Sequence, residues 1–331
     1  MPETLSEHWG LWAVFAAAIL GVMALDLGVF HRKEHEISVK EALGWTGVWV
    51  LLGLGFNLLI WWRIDQPALE AARAAGTSLP DPLWPQYLTC YLTEYALSVD
   101  NIFVFLVIFT YFAVPPQSRH RVLFWGVLGA LVFRGIFLVA GVALIERFHW
   151  VVYLLAAILI GTGVKLFFAR GEGEFQPEKN LVLRLARRFL PVTEGYEGKH
   201  FFVMRDGRRH ATPLFLTLLV VETTDILFAV DSVPAALGIS QDTFVLYTSN
   251  VMAIMGLRSL FFAVAGMLKY LHYLKFGLSL ILVFVGVKMV LPEEHKLPVT
   301  TALAVVGGIL LAAVIASLLR ARFVKDEEPK P

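Results

Sequence analysis

The chain has 331 residues, 57% of them hydrophobic and only 17% charged, with a mean hydropathy of +0.68. That balance lies outside the soluble globular norm and marks a polytopic membrane protein, so no nucleic-acid partner is expected. The net charge of +1 is uninformative, because the placement of charges is what matters in a membrane protein, and the single Cys90 excludes an internal disulfide or a cysteine-based metal cluster.

The first apolar run, 9–30, has no basic stretch before it and contains Asp26, so it reads as a retained span rather than a cleaved signal. A span needs roughly 20 mostly apolar residues. Eight further stretches meet that need, at 42–62, 86–112, 122–146, 149–169, 213–237, 243–268, 272–291 and 299–319. The expected fold is therefore an all-α transmembrane bundle of about nine spans. Short breaks at Glu146, Arg147 and between Lys269 and Lys275 predict tight hairpins, and 63–85 and 170–212 read as loops.

Lys and Arg divide unevenly between the two sets of loops. With the N-terminus outside, twenty fall on the inner side, nine of them in 170–212, against Arg63, Arg73, Arg147 and Lys296 outside. This predicts an N-out, C-in topology. Within the long inner loop, 178–192 spaces leucines and arginines as an amphipathic helix lying on an anionic membrane surface would, or serves as a plain basic connector. Residues 200–213 place Asp206-Gly207 between short arms, which predicts a hairpin, and the tail after Lys325 reads as disordered.

Two three-helix segments repeat. Glu94 and Asp100 are six apart, as are Asp225 and Asp231; Phe133 begins FRGIFLVAG, which matches LRSLFFAVAG from Leu257 and pairs Arg134 with Arg258; Gly163-Val164-Lys165 then falls on Gly286-Val287-Lys288. An odd number of spans per unit makes the repeat inverted, an arrangement that suits a midplane site opening to either side. The predicted units are 1–85, a first repeat 86–169, a basic loop 170–212, a second repeat 213–291, and a last helix with its tail, 292–331.

Six acids lie within spans: Asp26, Glu94, Asp100, Glu222, Asp225 and Asp231. Each would cost roughly 2.5 to 3.5 kcal/mol at a helix centre, so such residues face the protein interior and mark a pathway. Four cations are available to pair with them: Arg134, Arg258, Lys165 and Lys288, the lysines near span ends where they can snorkel. The arginines read as structural ion-pair partners, and the surplus carboxylates as sites for a cation or a proton. Residues six apart point about 120° away from each other, so one pocket for both acids of a pair requires an interrupted helix. Pro234 suggests an interruption in the second copy, and a bend near Ser98 and Val99 is required in the first.

The polar side chains nearby are oxygen donors, Ser98, Asn101, Thr224 and Ser232 among them, with Thr93, Thr223 and Asn250. Oxygen-only sites suit Mn²⁺, Mg²⁺ or Ca²⁺ rather than Zn²⁺ or Cu⁺. Met252 and Met255 read as packing, and GTGVK at 161–165 as close helix contact rather than a phosphate loop. No catalytic triad, metalloprotease or nucleotide signature is present, so no enzymatic activity and no permanently bound cofactor are expected.

EYALSVDNIFVF from Glu94, TPLFLTLLVVETTD and ETTDILFAVDSVPAALGIS resemble the signature segments of the TerC family of bacterial membrane proteins, over about residues 9–320. The resemblance implies an exporter of Mn²⁺ in the bacterial plasma membrane, with Glu94, Asp100, Glu222, Asp225 and Asp231 as the acids that matter and Asp26 at an acidic position of the first helix. The expected partners are a divalent ion, Mn²⁺ or alternatively Ca²⁺, together with protons and the lipid bilayer. A Ca²⁺/H⁺ exchanger, or an assembly factor linked to tellurium resistance and docking partners through 170–212, are the alternatives. Tellurite itself, an oxyanion, is repelled by a carboxylate-rich pocket.

Overall fold

A computed structural model describes residues 9–30, 38–168, 180–205, 207–265, 273–295 and 297–325, without the side chains of 22–30, 293 and 321–325. Asp206, Lys269, the tail after Lys325 and the side chain of Asp26 therefore lie outside the described residues.

Helix α1 runs Trp9–Phe30, and α2 runs Val39–Ile60 with Ser38 at its N-cap. A π-helical turn, Trp61–Asp65, carries α2 directly into α3, Gln66–Ala75, which stops at Gly76 in the left-handed conformation. The expected loop at 63–85 is thus mostly helix. Its sequence QPALEAARAA is rich in strong helix formers, with proline only in the first turn where it is tolerated. Asp65, buried at the end of the π turn, accepts from the backbone N–H groups of Leu83 at 2.8 Å and Trp84 at 2.9 Å. It thereby caps the next helix, whose own N-cap, Pro82, has no side-chain group to do so.

That helix is α4, Leu83–Tyr111, followed by α5, Pro116–Arg147, and α6, Val151–Phe168. The second half holds α8, Pro213–Ile239; α9, Thr243–Met255; α10, Leu257–Ala265; and α11, Leu274–Val290; α12, Val299–Lys325, ends the description. Between the halves lie α7, Leu181–Phe189, and strands β1, Phe202–Arg205, and β2, Arg208–Ala211. The strands pair antiparallel with Arg205 opposite Arg208, and Gly207 at φ +70° takes a turn position that favours glycine. Helix α7 is capped by Asn180 and buries Leu183 and Ala186 while exposing Leu181, Leu185 and Phe189, so it is a docked amphipathic helix and not a plain connector.

Helix occurs in all nine stretches. Among the described residues, six helices are long and apolar enough to span a bilayer, or seven if α9 and α10 count as one bent span. The expected single span at 243–268 bends by 43° after Met255. A Cβ on Gly256 would lie 3.3 Å from Cβ of Trp49, so glycine lets α2 approach closely where the helix turns. The interruptions expected near Ser98 and at Pro234 do not occur: α4 and α8 are continuous, with Pro234 inside the latter.

Helix α4 is the axis of the bundle. Some 61% of its apolar window is buried, against 22% in α5, α6 and α12, whose outward apolar faces are those a bilayer covers. It packs on α8, α9, α10 and α12, while α5 packs on α8 and α6 on α11. The core falls into two apolar clusters. One gathers Phe56, Tyr87, Tyr91 and the C-terminal half of α8; the other Phe105, Phe109, Leu183 and the N-terminal half of α8. On α8, Glu222 and Asp225 lie between the two in sequence.

Helices α6 and α11 touch through a matched pair of glycines. A Cβ on Gly163 would lie 2.8 Å from the Ser279 carbonyl oxygen and from Val283; one on Gly286 would lie 3.0 Å from the Ala156 carbonyl oxygen and 2.8 Å from Ile160. Ala156 and Ile160 precede Gly163 by the same steps as Ser279 and Val283 precede Gly286. Each glycine thus meets the counterpart of what the other meets, and GTGVK is a helix contact, as its composition suggests. Gly163→Val should sharply reduce folded protein in detergent, whereas Gly161→Ala, with nothing within 4 Å, should be tolerated. Equal thermal stability of the two variants, measured by fluorescence melting, would show that the contact is slack.

Candidate functional site

Continuous helices change which acids meet. Six residues along an unbroken helix separate two side chains by about 9 Å as well as by 120°. Glu94 and Asp100 therefore cannot share one pocket, nor can Asp225 and Asp231, and the expected gathering of each pair within its own helix is corrected. The acids associate across the repeat instead, α4 with α8.

The first group is built on Arg134, which α5 carries into the core with 2% of its surface exposed. Its guanidinium forms an ion pair with Oε1 of Glu94. It also interacts electrostatically with Asp225 of α8. Asn250 of α9 donates from Nδ2 to Oε2 of Glu94 at 2.9 Å, so both carboxylate oxygens of Glu94 are engaged. Glu222, one turn before Asp225, interacts with it and presses its carboxylate against Gly129 of α5, where any larger residue would collide. Four helices thus contribute to one buried polar centre. Oε2 of Glu222, Oδ1 of Asp225, Oδ1 of Asn250 and the hydroxyls of Ser98 and Ser232 are buried there or nearby without a hydrogen-bond partner.

A looser second group holds Asp100 and Asp231, which lie within electrostatic reach of each other. Oδ1 of Asp231 accepts from the Thr162 hydroxyl at 2.9 Å. Lys165 acts on Asp231 and Lys275 on Asp100. Both acids are partly exposed, unlike Glu94 and Asp225, which are 3% exposed.

The remaining expected residues divide. Thr224 is buried but donates to the Val220 carbonyl of its own helix at 2.7 Å, and Thr223 accepts from Asn180 of α7. Asn101 is buried on α4. Lys288 donates to the Gly238 carbonyl at 3.4 Å, near the C-terminal end of α8 where a cation is favourable. Arg258 does not match Arg134 in setting: it begins α10, just past the bend, and is only partly buried. Met252 and Met255 are buried among apolar side chains. Among the described residues no three His, Cys, Asp or Glu side chains converge as a ready metal cage.

Sequence reasoning missed Thr162 and Gly129. Thr162 stands three residues before Lys165, on the same helix face, which is the signal that could have found it. Gly129 leaves no signal until Glu222 is placed against it.

The Glu94–Arg134 pair also yields a test. Removing one partner of a buried pair leaves the other charge uncompensated and costs about 3 to 5 kcal/mol, whereas removing both does not. Glu94→Gln and Arg134→Gln should each lower the melting temperature of the purified protein, and the double variant should regain part of the loss. Additive losses would contradict the pairing.

Residues 80–326 match the Integral membrane protein TerC family. An uncharacterized membrane protein of Myxococcus xanthus is 48% identical over 95% of this chain and 93% of its own length. Two proteins named "Putative membrane-bound redox modulator Alx" are also similar: that of Salmonella typhi is 42% identical over 92% of both chains, and that of Escherichia coli K12 is 41% identical over 92% of this chain and 93% of its own. No solved structure matches. The chain is an integral membrane protein that belongs to the TerC family.

Proposed function

We propose that the protein exports divalent metal cations, Mn²⁺ foremost, through the carboxylates of α4 and α8, by alternating access. The observation that carries this reading is the gathering of acids from the two matched helices: Glu94, Asp225 and Glu222 about Arg134, with Asp231, held by Thr162, and Asp100 within electrostatic reach of each other. Structural ion pairing accounts for Glu94 and Arg134. It leaves Glu222, whose Oε2 has no partner and whose neighbour Asp225 adds a like charge.

The donors are carboxylate, amide and hydroxyl oxygens, which favour a hard ion. Arg134 offsets one of the charges of Glu94 and Asp225, so an arriving cation competes with a tethered one. Protons returning onto the same carboxylates supply a driving force, since a buried acid exchanges proton for metal readily. The mirrored contacts of Gly163 and Gly286 support an inverted repeat, and the basic loop, with the helix exposing Leu181, Leu185 and Phe189 beside arginines, supports an inner-membrane orientation with both this loop and the C-terminus inside.

The relatives' name invokes redox modulation. One cysteine, buried, leaves thiol exchange within a chain without a second thiol, whereas export of a redox-active metal ion changes the cell's redox balance indirectly.

Cells expressing Asp100→Asn or Asp231→Asn at parental levels should accumulate several-fold more manganese than cells with the parent protein, measured by elemental analysis. Equal metal contents would sink the proposal. Loss of function on deleting 178–210 with the acid variants unaffected would favour the assembly-factor reading instead.

A further inference from the structure

Helix α4 carries more polar groups than the acids require. Tyr87, Tyr91, Glu94, Ser98 and Asn101 follow one another at steps of four and three residues, so they form one stripe along a single face, with Tyr95 at its edge. From Tyr87 to Asn101 the stripe covers about 21 Å, most of the roughly 30 Å hydrocarbon core.

The stripe is buried: Tyr87 and Ser98 are 0% exposed, Tyr91 2%, Glu94 3% and Asn101 5%. The hydroxyl oxygens of Tyr87, Tyr91, Tyr95 and Ser98 all lack a hydrogen-bond partner. A buried hydroxyl left unpaired costs about 1 to 3 kcal/mol, and native proteins hold few of them. Four on one helix, where Phe and Ala would pack as well, is a pattern that packing does not explain. The neighbours also make room for it. Gly53 of α2 faces Tyr91, where a Cβ would lie 2.9 Å from the ring and 3.1 Å from its hydroxyl oxygen. The rings of Tyr87 and Tyr91 stack at 6.2 Å, and Phe56 closes on Tyr87 at 5.8 Å.

We propose that this stripe is the path by which a hydrated hard cation passes along α4 to and from Glu94, the hydroxyls of Tyr87 and Tyr91 on its outer side and of Ser98 on its inner side exchanging with the ion's water ligands. Phenol and serine oxygens are neutral and hard, so they lower the barrier without trapping the ion as a carboxylate would. The stacked rings of Tyr87 and Tyr91, with Phe56, close the path in this structure. The proposal rests on the transport reading and on the orientation above.

The test uses full-length protein in vesicles with an entrapped Mn²⁺-quenched dye. Tyr87→Phe/Tyr91→Phe keeps the packing and removes only hydroxyls. Mn²⁺ flux should fall at least tenfold, while Mn²⁺ affinity of the detergent-purified variant stays within twofold of the parent. Unchanged flux would overturn the proposal, and so would a parallel loss of affinity, which would place the hydroxyls in the binding site itself. Absence of Mn²⁺ flux in the parent would instead defeat the transport reading, and a second readout then decides the path. In a Cys90→Ala background, Ser98→Cys should react with a small cationic thiosulfonate added outside at least tenfold faster than Leu92→Cys, on the opposite face; equal rates would overturn the path.

Discussion

The ion pair between Arg134 and Glu94, with Asp225 beside it, is the constraint that organises the bundle. A guanidinium and carboxylates in a nearly waterless core are tolerable only together, so α4, α5 and α8 must converge on Arg134 or leave charge uncompensated. Asn250 brings α9 to the same point by donating to Glu94. Apolar packing supplies the bulk of the contact on either side, but it is permissive about register. The charges are not.

Registering α4 against α8 in this way has a further result. With both helices continuous and antiparallel, the second acid of each is carried about 9 Å along in opposite directions, so Asp231 comes level with Glu94 and Asp100 with Asp225, the register that the contacts of Cys90 with Ala236 and of Gln86 with Ser240 set. One group gathers carboxylates about a single buried guanidinium; the other has lysines acting on partly open acids. Such a division suits a cation that is first attracted and then held. The two halves also differ where they bend: α5 passes Arg134 without interruption, whereas its counterpart breaks after Met255 and leaves Arg258 at the start of α10.

Much of this was legible in the residues. The hydropathy of each stretch, the matched spacing of Glu94 and Asp100 with Asp225 and Asp231, and the close contact implied by GTGVK all survive in the fold. The cross-helix pairing was not legible. Spacing within a helix reports which side chains share its face, but only tertiary packing says which neighbour that face meets. Pro234 misled for a related reason: a proline frees one carbonyl locally, and surrounding helices can hold the chain straight despite it. Residues 63–75 were misread as a loop because their alanine-rich helix lies beyond the apolar stretch that defines the span, and Asp65 acts through backbone groups of a distant segment. Thr162 was hidden by a motif read only for its glycines.

The central claim is that the acids of α4 and α8 together form a passage for divalent cations. Uptake of Mn²⁺ into proteoliposomes, with Ca²⁺ and Mg²⁺ in competition, tests it most directly when the parent is compared with Asp225→Asn at equal reconstitution. The parent should accumulate Mn²⁺ above empty vesicles, with excess Mg²⁺ competing poorly, and Asp225→Asn should fall to the empty-vesicle level. A parent indistinguishable from empty vesicles, or a variant that transports as well as the parent, would contradict it.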